Sequence, residues 1–250
     1  MQKLTTLTGK TIAIHQPNYL PWAGYFLKMA ACDVFVFHDN VQITKAGHTR
    51  RVKIASRHSI DKSQWLTVPL KKHSDFALIK DLEISWETDW TQKHLNQIKD
   101  SYIQCPYFDE FFPKLVDWYQ EAKRFTSLSE MNVFFIKQIM QELDINKEFH
   151  FSSQLPVSGK ASAYNLAITK HLNGTHYLSG LGGDKYQDEI DFVSEGLELV
   201  RMDGMAEIEF LFLEKGIPKV CHSNSILELN FNIEKNKLKE IFSFSNFNFH

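Results

Sequence analysis

The stretch "TIAIHQPNYLPWAGYFLKMAACDVFVFHD", residues 11–39, decides the fold. It opens on TIAIH, a short run so apolar that a strand formed from it is covered on both faces. It closes on DVFVFHD, a second run of the same kind. Between them Pro21 suits the first turn of a helix, where its missing N–H costs nothing. From about Pro21 to Ala31, Trp22, Tyr25, Phe26 and Met29 recur at i, i+3, i+4 and i+7, the stripe of a helix that packs on a sheet. Strand, helix and strand at this spacing make a parallel βαβ unit.

The same alternation returns later in the chain. EFHFSS (148–153), THYLSG (175–180) and LELVRM (197–202) read as strands, with helical segments at 160–172 and around IDFVSEG between them. The region between the two alternating parts differs. RRVKIAS (50–56), WLTVPL (65–70) and LEISW (82–86) read as a small antiparallel excursion, with RHSIDKSQ as a polar turn. Helices follow at 90–104, around 111–119, and from the capping pair Ser127 and Glu130 to about Leu143. A last helix is expected at 234–243. The expectation is one α/β domain over residues 1–250, a mainly parallel sheet with helices on both faces, an antiparallel insertion around 50–86 within an insert of about 45–86, and a helical segment of about 90–144.

Composition narrows the function. A net charge of −2 over 250 residues gives no field for nucleic acid or an anionic membrane, so none is expected as a partner. Three cysteines without a CxxC pair (Cys32, Cys105 and Cys221) favour reduced thiols and a cytoplasmic setting. No apolar run approaches the ~18 residues of a membrane span, and the first ten residues lack a signal-peptide core. Twenty phenylalanines mostly serve the core, although the tail 242–249 leaves room for self-association as a homo-oligomer.

Three clusters carry chemistry. His15, Gln16 and Asn18 stand where a parallel strand hands over to a helix, the edge at which open α/β sheets bind ligands. A helix N-terminus there favours phosphate or carboxylate, with His15 beside it as acid, base or donor; the plain alternative is a structural histidine at a strand end. In "KAGHTRRVKI", Lys45, His48, Arg50, Arg51 and Lys53 lie within nine residues. On a strand, Arg51 and Lys53 share one face and Arg50 the other. Arg forks and Lys point charges suit a diphosphate, against the plain reading of a solvated loop. In "YLSGLGGDKY", Ser179 and Gly180 end a strand in a glycine-rich turn that lets backbone approach a ligand, with Tyr186 beyond. Metal ligation has poor support, since His171 and His176 divide between a helix and a strand. Cys221 and His222, as neighbours on a strand, point to opposite faces and do not make a nucleophile–base pair.

Taken in order, "IHQPNYLPWAGYF", "DVFVFHDNVQITKAGHTRRVKI", "WLTVPL", "CPYFDEFFPKL", "YLSGLGGDKY" and "HSNSILELNF" resemble the successive signatures of the WbqC-like family from about residue 11 to 240. The family pattern takes in His15, Gln16, Pro17, Tyr19, Pro21, Gly24, Tyr25, Phe26, Lys45 and an arginine that is either Arg50 or Arg51. Where the pattern often reads Asn-Arg-Asn, this chain has Thr49-Arg50-Arg51-Val52. The resemblance implies a role in cell-surface polysaccharide synthesis, with an acyl or aminoacyl group transferred to the amine of a nucleoside-diphosphate-linked sugar. The expected partners are that nucleotide-linked amino sugar and an acyl-carrier protein. No tightly bound cofactor is expected beyond a donor: a CoA thioester, a carrier-protein thioester or an ATP-activated acid. Lys45, Arg50 and Arg51 then face the diphosphate. Tyr19 or Trp22 stacks on the base, and His15, with His48 behind it, serves as general base. Gln16, Asn18 or the N–H groups near Gly180 hold the oxyanion.

Two other readings stand beside this one. A strand ending in His before a helix also looks like an adenylating nucleotide-binding fold, but the second histidine expected there is replaced by Asn18 and Tyr19. The third reading is a protein that binds a sugar nucleotide without turning it over.

Overall fold

The computed structural model describes residues 9–44, 47–56, 59–180, 189–203, 206–217 and 219–243. Lys45, Tyr186 and most of the tail 242–249 therefore lie outside the described residues. Five strands form one parallel sheet: β1 (Thr11–His15), β2 (Val34–Phe37), β5 (Glu148–Phe151), β6 (His176–Gly180) and β7 (Glu198–Met202). Two more, β3 (Arg51–Ser56) and β4 (Ser59–Thr67), make a separate antiparallel hairpin.

The spatial order is β5-β2-β1-β6-β7. Counted along the sheet's own strands this is third, second, first, fourth, fifth. The chain moves outward from β1 in one direction and then returns to start again on its other side. The switch point lies between β1 and β6, and a doubly wound sheet opens its ligand crevice there, beyond the carboxyl ends of the strands.

Alternation within the strands sorts two cores. Ala13, Phe35 and Phe37 face helix α1 (Ala23–Ala30) and the helices α2 (Trp90–Tyr102), α3 (Phe108–Ala122) and α4 (Leu128–Glu142). Ile12, Ile14, Val34, Val36 and Tyr177 face the other way, onto α5 (Ala161–His171) and α6 (Glu189–Ser194). Helices thus cover both faces, and the strands are apolar throughout for that reason. The chain also forms α7 (Ala206–Glu214), α8 (Leu227–Asn232) and α9 (Lys235–Ile241). No helix among the described residues is long and apolar enough to cross a membrane.

Several boundaries differ from the sequence expectation. Helix α1 begins at Ala23 with Trp22 as its N-cap, so Pro21 stands outside the helix, and its carbonyl accepts the N–H of Ile226 at 2.8 Å. Residues 59–64, expected as a turn, belong to β4, because pairing of Ser56 with Ser59 leaves only residues 57–58 to connect the strands. LEISW forms no strand; Ile84 and Glu83 make single bridges to Leu70 and Ser127. Cys221 ends a 3-10 turn rather than lying on a strand, and the His222 ring stacks 4.4 Å from Phe212.

Candidate functional site

Parallel pairing brings His15 and the end of β6 to the same edge. Thr11, Ile12 and Ala13 pair with His176, Tyr177 and Leu178, which sets Ser179 and Gly180 level with the last residues of β1. The ladder between these strands stops at Ala13 and Leu178, although β6 continues against β7 to Gly180. The two strands part at the switch point.

The loop after β1 is clamped. Asn132 of α4, itself fully buried, donates through Nδ2 to Pro17 O at 2.8 Å and to Thr49 O at 2.7 Å. Thr49 Oγ1 donates to Gln16 Oε1 at 3.2 Å, and Tyr19 N donates to His48 O at 3.3 Å. These bonds fasten the basic segment to the end of β1, two regions more than thirty residues apart in sequence. Tyr25, in the first turn of α1, closes the other side: its hydroxyl donates to Gln16 O at 3.1 Å and its ring meets His15 edge-on at 4.7 Å.

His15 donates from Nδ1 to Gln16 O at 3.2 Å, which leaves Nε2 as the acceptor. Burial, then the charge of Lys28, push its pKa down to about 3, with smaller contributions of the same sign from His38 and His48. The imidazole is neutral at ordinary pH, as a base must be, but weak. The cation among the causes is Lys28, so an anion bound beside it raises the basicity of His15. His38, the next residue after β2, is also held down, to about 4, chiefly by burial, and its Nδ1 has no partner among the described residues. Asp39 beside it accepts from Ser152 Oγ, Ser153 N and Ser153 Oγ at 3.1, 2.9 and 2.6 Å, tying the ends of β2 and β5 together.

The hairpin carries the positive charge. Arg51 and Lys53 share its outer face while Val52 and Ile54 are buried, as the alternation implies. Both cations lean on Trp65 of β4: the Arg51 guanidinium lies 4.4 Å and the Lys53 ammonium 5.3 Å from its ring centre. His48 stands 5.8 Å from the same ring, its pKa lowered by burial and then by Arg51 and Lys53. Trp65 is 38% exposed, and among the described residues no carboxylate pairs with any of the three basic groups. Arg50 precedes the strand, its carbonyl accepting Val68 N at 2.8 Å. Arg51 belongs to the cationic face.

Other expected contacts fall elsewhere. Tyr19 is fully buried, with its hydroxyl bonded to Tyr119 and to His94 Nδ1, so its ring has no face to offer a base. Trp22 lies across Gly24, where a Cβ would stand 2.0 Å from its ring, and bridges to Ser225. It is half-buried rather than free. Asn18 is buried, and its Oδ1 has no partner among the described residues. Ser179 is buried and turns its hydroxyl onto Gly180 O at 3.1 Å, leaving the backbone of that turn as the usable feature.

Two residues of the site escaped the sequence reading, Trp65 and Lys28. A lysine inside the all-apolar helix AGYFLKMA was the available signal, because a helix apolar on every side is buried and takes its lysine with it. Among the described residues no cluster of His, Cys, Asp and Glu can hold a metal ion. A small cavity lined by Tyr107, Glu110, Glu142 and Lys235 lies among α3, α4 and α9, away from this edge, and there Glu142 already pairs with Lys114 and Lys235.

The chain matches the model of the WbqC-like protein family over residues 16–240. It is also similar to the uncharacterized protein Rv1507c of Mycobacterium tuberculosis, 28% identical over 225 residues that cover 90% of this chain and 94% of that protein. No solved structure matches it.

Proposed function

On the premise that this chain belongs to the WbqC-like protein family, we propose that it transfers an acyl or aminoacyl group to the amine of a nucleoside-diphosphate-linked amino sugar in cell-surface polysaccharide synthesis. One observation carries the reading. Three basic side chains, with no carboxylate paired to them among the described residues, surround an exposed tryptophan and are tethered to the switch-point edge beside His15. Arg51 and Lys53 supply charge to a diphosphate, and Trp65 supplies an aromatic surface to the base or sugar.

The sugar amine then attacks the carbonyl of a thioester donor. A C–N bond forms, the C–S bond breaks and the thiolate leaves. The proton lost by the amine passes to His15 Nε2, whose basicity the bound diphosphate has raised. Backbone N–H groups at the parted ends of β1 and β6, with Gln16, face the carbonyl oxygen as it gains charge. Lys45 adds charge for the diphosphate, and Tyr186 and the backbone at Asn18 serve as further contacts for the substrate. His48 stands behind His15 as the second base.

The test incubates the protein with uridine- and deoxythymidine-diphosphate amino sugars and acyl-CoA, and reads the sugar by mass spectrometry. A sugar heavier by the acyl group supports the proposal. Binding without any mass gain in the presence of thioesters or of ATP with a carboxylic acid rejects transfer and favours a binding protein. A specific observation favours one alternative: the doubly wound strand order is also that of nucleotide-binding sheets. In that reading the nucleotide is ATP and the product is an acyl adenylate, with pyrophosphate released as the sign.

A further inference from the structure

The parting between β1 and β6 is occupied by a charge. Asp33 N donates to Thr11 O and His38 N to His15 O, so odd-numbered residues of β1 turn their backbone toward β2. Ile14 therefore turns toward β6. With the ladder ended at Ala13, its carbonyl has no strand partner and accepts instead from Lys28 Nζ at 2.9 Å. Lys28 starts on the α1 face of the sheet, yet its ammonium lies 5.9 Å from the ring of Tyr177, which belongs to the opposite core. The side chain reaches through the gap where the strands separate.

Lys28 is only 6% exposed, and no carboxylate among the described residues pairs with it. An ammonium has three N–H donors, and Ile14 O takes one. A buried cation without an anion is a poor structural device, since an apolar side chain of that length fills the space at lower cost. No anion among the described residues pairs with it: His15 and His38 are neutral, burial pushes the Cys32 thiol up to about 12, burial pushes the Tyr177 phenol upward, and the Asp39 carboxylate is turned onto Ser152 and Ser153.

We infer that the β1–β6 parting is an oxyanion subsite whose cation is Lys28, taking a phosphate or carboxylate group other than the one held on the hairpin by Arg51 and Lys53. The position is the switch point itself, where the sheet topology places ligands. The inference goes beyond the proposed reaction and does not depend on which sugar or donor is used. Two cationic subsites on one edge imply either one ligand with two separated anionic groups or two anionic ligands held side by side.

The probes are inorganic phosphate and acetate, titrated by calorimetry into the full-length protein, wild type, Lys28→Met and Lys28→Arg, between pH 7.5 and 9.5. Both variants are first checked for cooperative unfolding. At pH 7.5 Lys28→Met is expected to lose at least about tenfold in affinity and Lys28→Arg to stay within about threefold, because the guanidinium keeps the charge. Burial lowers the Lys28 pKa to about 8. Wild-type affinity should then fall by roughly thirtyfold at pH 9.5, and that of Lys28→Arg should hold. Preference for phosphate over acetate identifies a phosphoryl ligand, and the reverse a carboxylate. Equal affinity in wild type and Lys28→Met, or no binding of either anion to the wild type, overturns the inference. If Lys28→Met does not fold, a pH profile of Lys28→Arg that follows wild type overturns it as well. None of these outcomes bears on acyl transfer, so the two proposals fail separately.

Discussion

The ammonium of Lys28 donates to the carbonyl of Ile14 at 2.9 Å, at the place where β1 leaves β6. The bond takes the position of a strand-to-strand hydrogen bond and leaves a buried charge at the mouth of the sheet. Function explains such an arrangement better than stability does.

Stability should therefore rise when the charge is removed. Holding Lys28 at a pKa of about 8 rather than 10.5 costs the charged form about 3 kcal/mol at neutral pH. Against that gain, Lys28→Met leaves the Ile14 carbonyl unpaired, a cost of about 1–3 kcal/mol. The expected net is a stabilisation of about 1 kcal/mol in urea unfolding at pH 7. A loss of more than about 2 kcal/mol identifies Lys28 as structural.

Tyr19 shows the opposite behaviour. Thr67 N donates to His94 Nε2 at 3.1 Å, so neutral His94 carries its proton on Nδ1 and donates to Tyr19, which is also bonded to Tyr119. This chain of groups is buried, and it fixes the loop after β1 from below. His94→Ala should cost about 3 kcal/mol and Tyr19→Phe about 1–2 kcal/mol in the same unfolding assay. Neither should alter ligand affinity in variants that fold, since neither side chain reaches the surface. A tenfold loss of affinity in folded Tyr19→Phe places its hydroxyl in the ligand site instead.

Acid should loosen the fold near pH 5. Burial lowers His94 and His38 to about 4 and His15 to about 3, from 6.5. Between those values and 6.5 the unfolded chain binds more protons, so each contributes stability present above pH 6.5 and lost as pH falls toward 4. Glu228 has the other sign. Buried, with Tyr102 and Asn224 donating to it at 3.0 and 3.2 Å, it is raised to about 7. Its contribution is full below pH 4.5 and is lost as pH rises to 7. The histidines outnumber it between pH 4.5 and 6.5, and stability should climb across that window by roughly 1–2 kcal/mol per pH unit. Glu228→Gln should steepen the climb. Flat stability from pH 5 to 6.5 contradicts the burial of these rings.

Local pattern carried the fold a long way. The apolar runs at 11–15 and 33–39 became adjacent parallel strands, and the alternation in RRVKI placed Arg51 and Lys53 on one face. The joint position of His15 and Ser179–Gly180 followed from reading both as parallel strand ends. What failed to show was long-range. Tyr19 looked available because its partners, His94 and Tyr119, lie 75 and 100 residues away. Trp65 read only as a strand residue until pairing set it opposite Lys53. The polar half of β4 resembled a turn, since an exposed hairpin edge needs no apolar pattern. Helices α7 and α8 went unread, one of them preceded by the motif HSNSIL, whose Ser225 and Asn224 brace the hairpin by bonds to Lys53 and Ser63.

The cationic face around Trp65 is the centre of the functional reading, and calorimetric titration of a uridine-diphosphate amino sugar into wild type and Arg51→Gln tests it most directly. Arg51 is half-buried, so unfolding of the variant is followed in parallel. The expected result is micromolar binding to the wild type that weakens at least about tenfold in a folded Arg51→Gln and declines with added salt. Absence of binding to the wild type, or equal affinity in the two proteins, contradicts it.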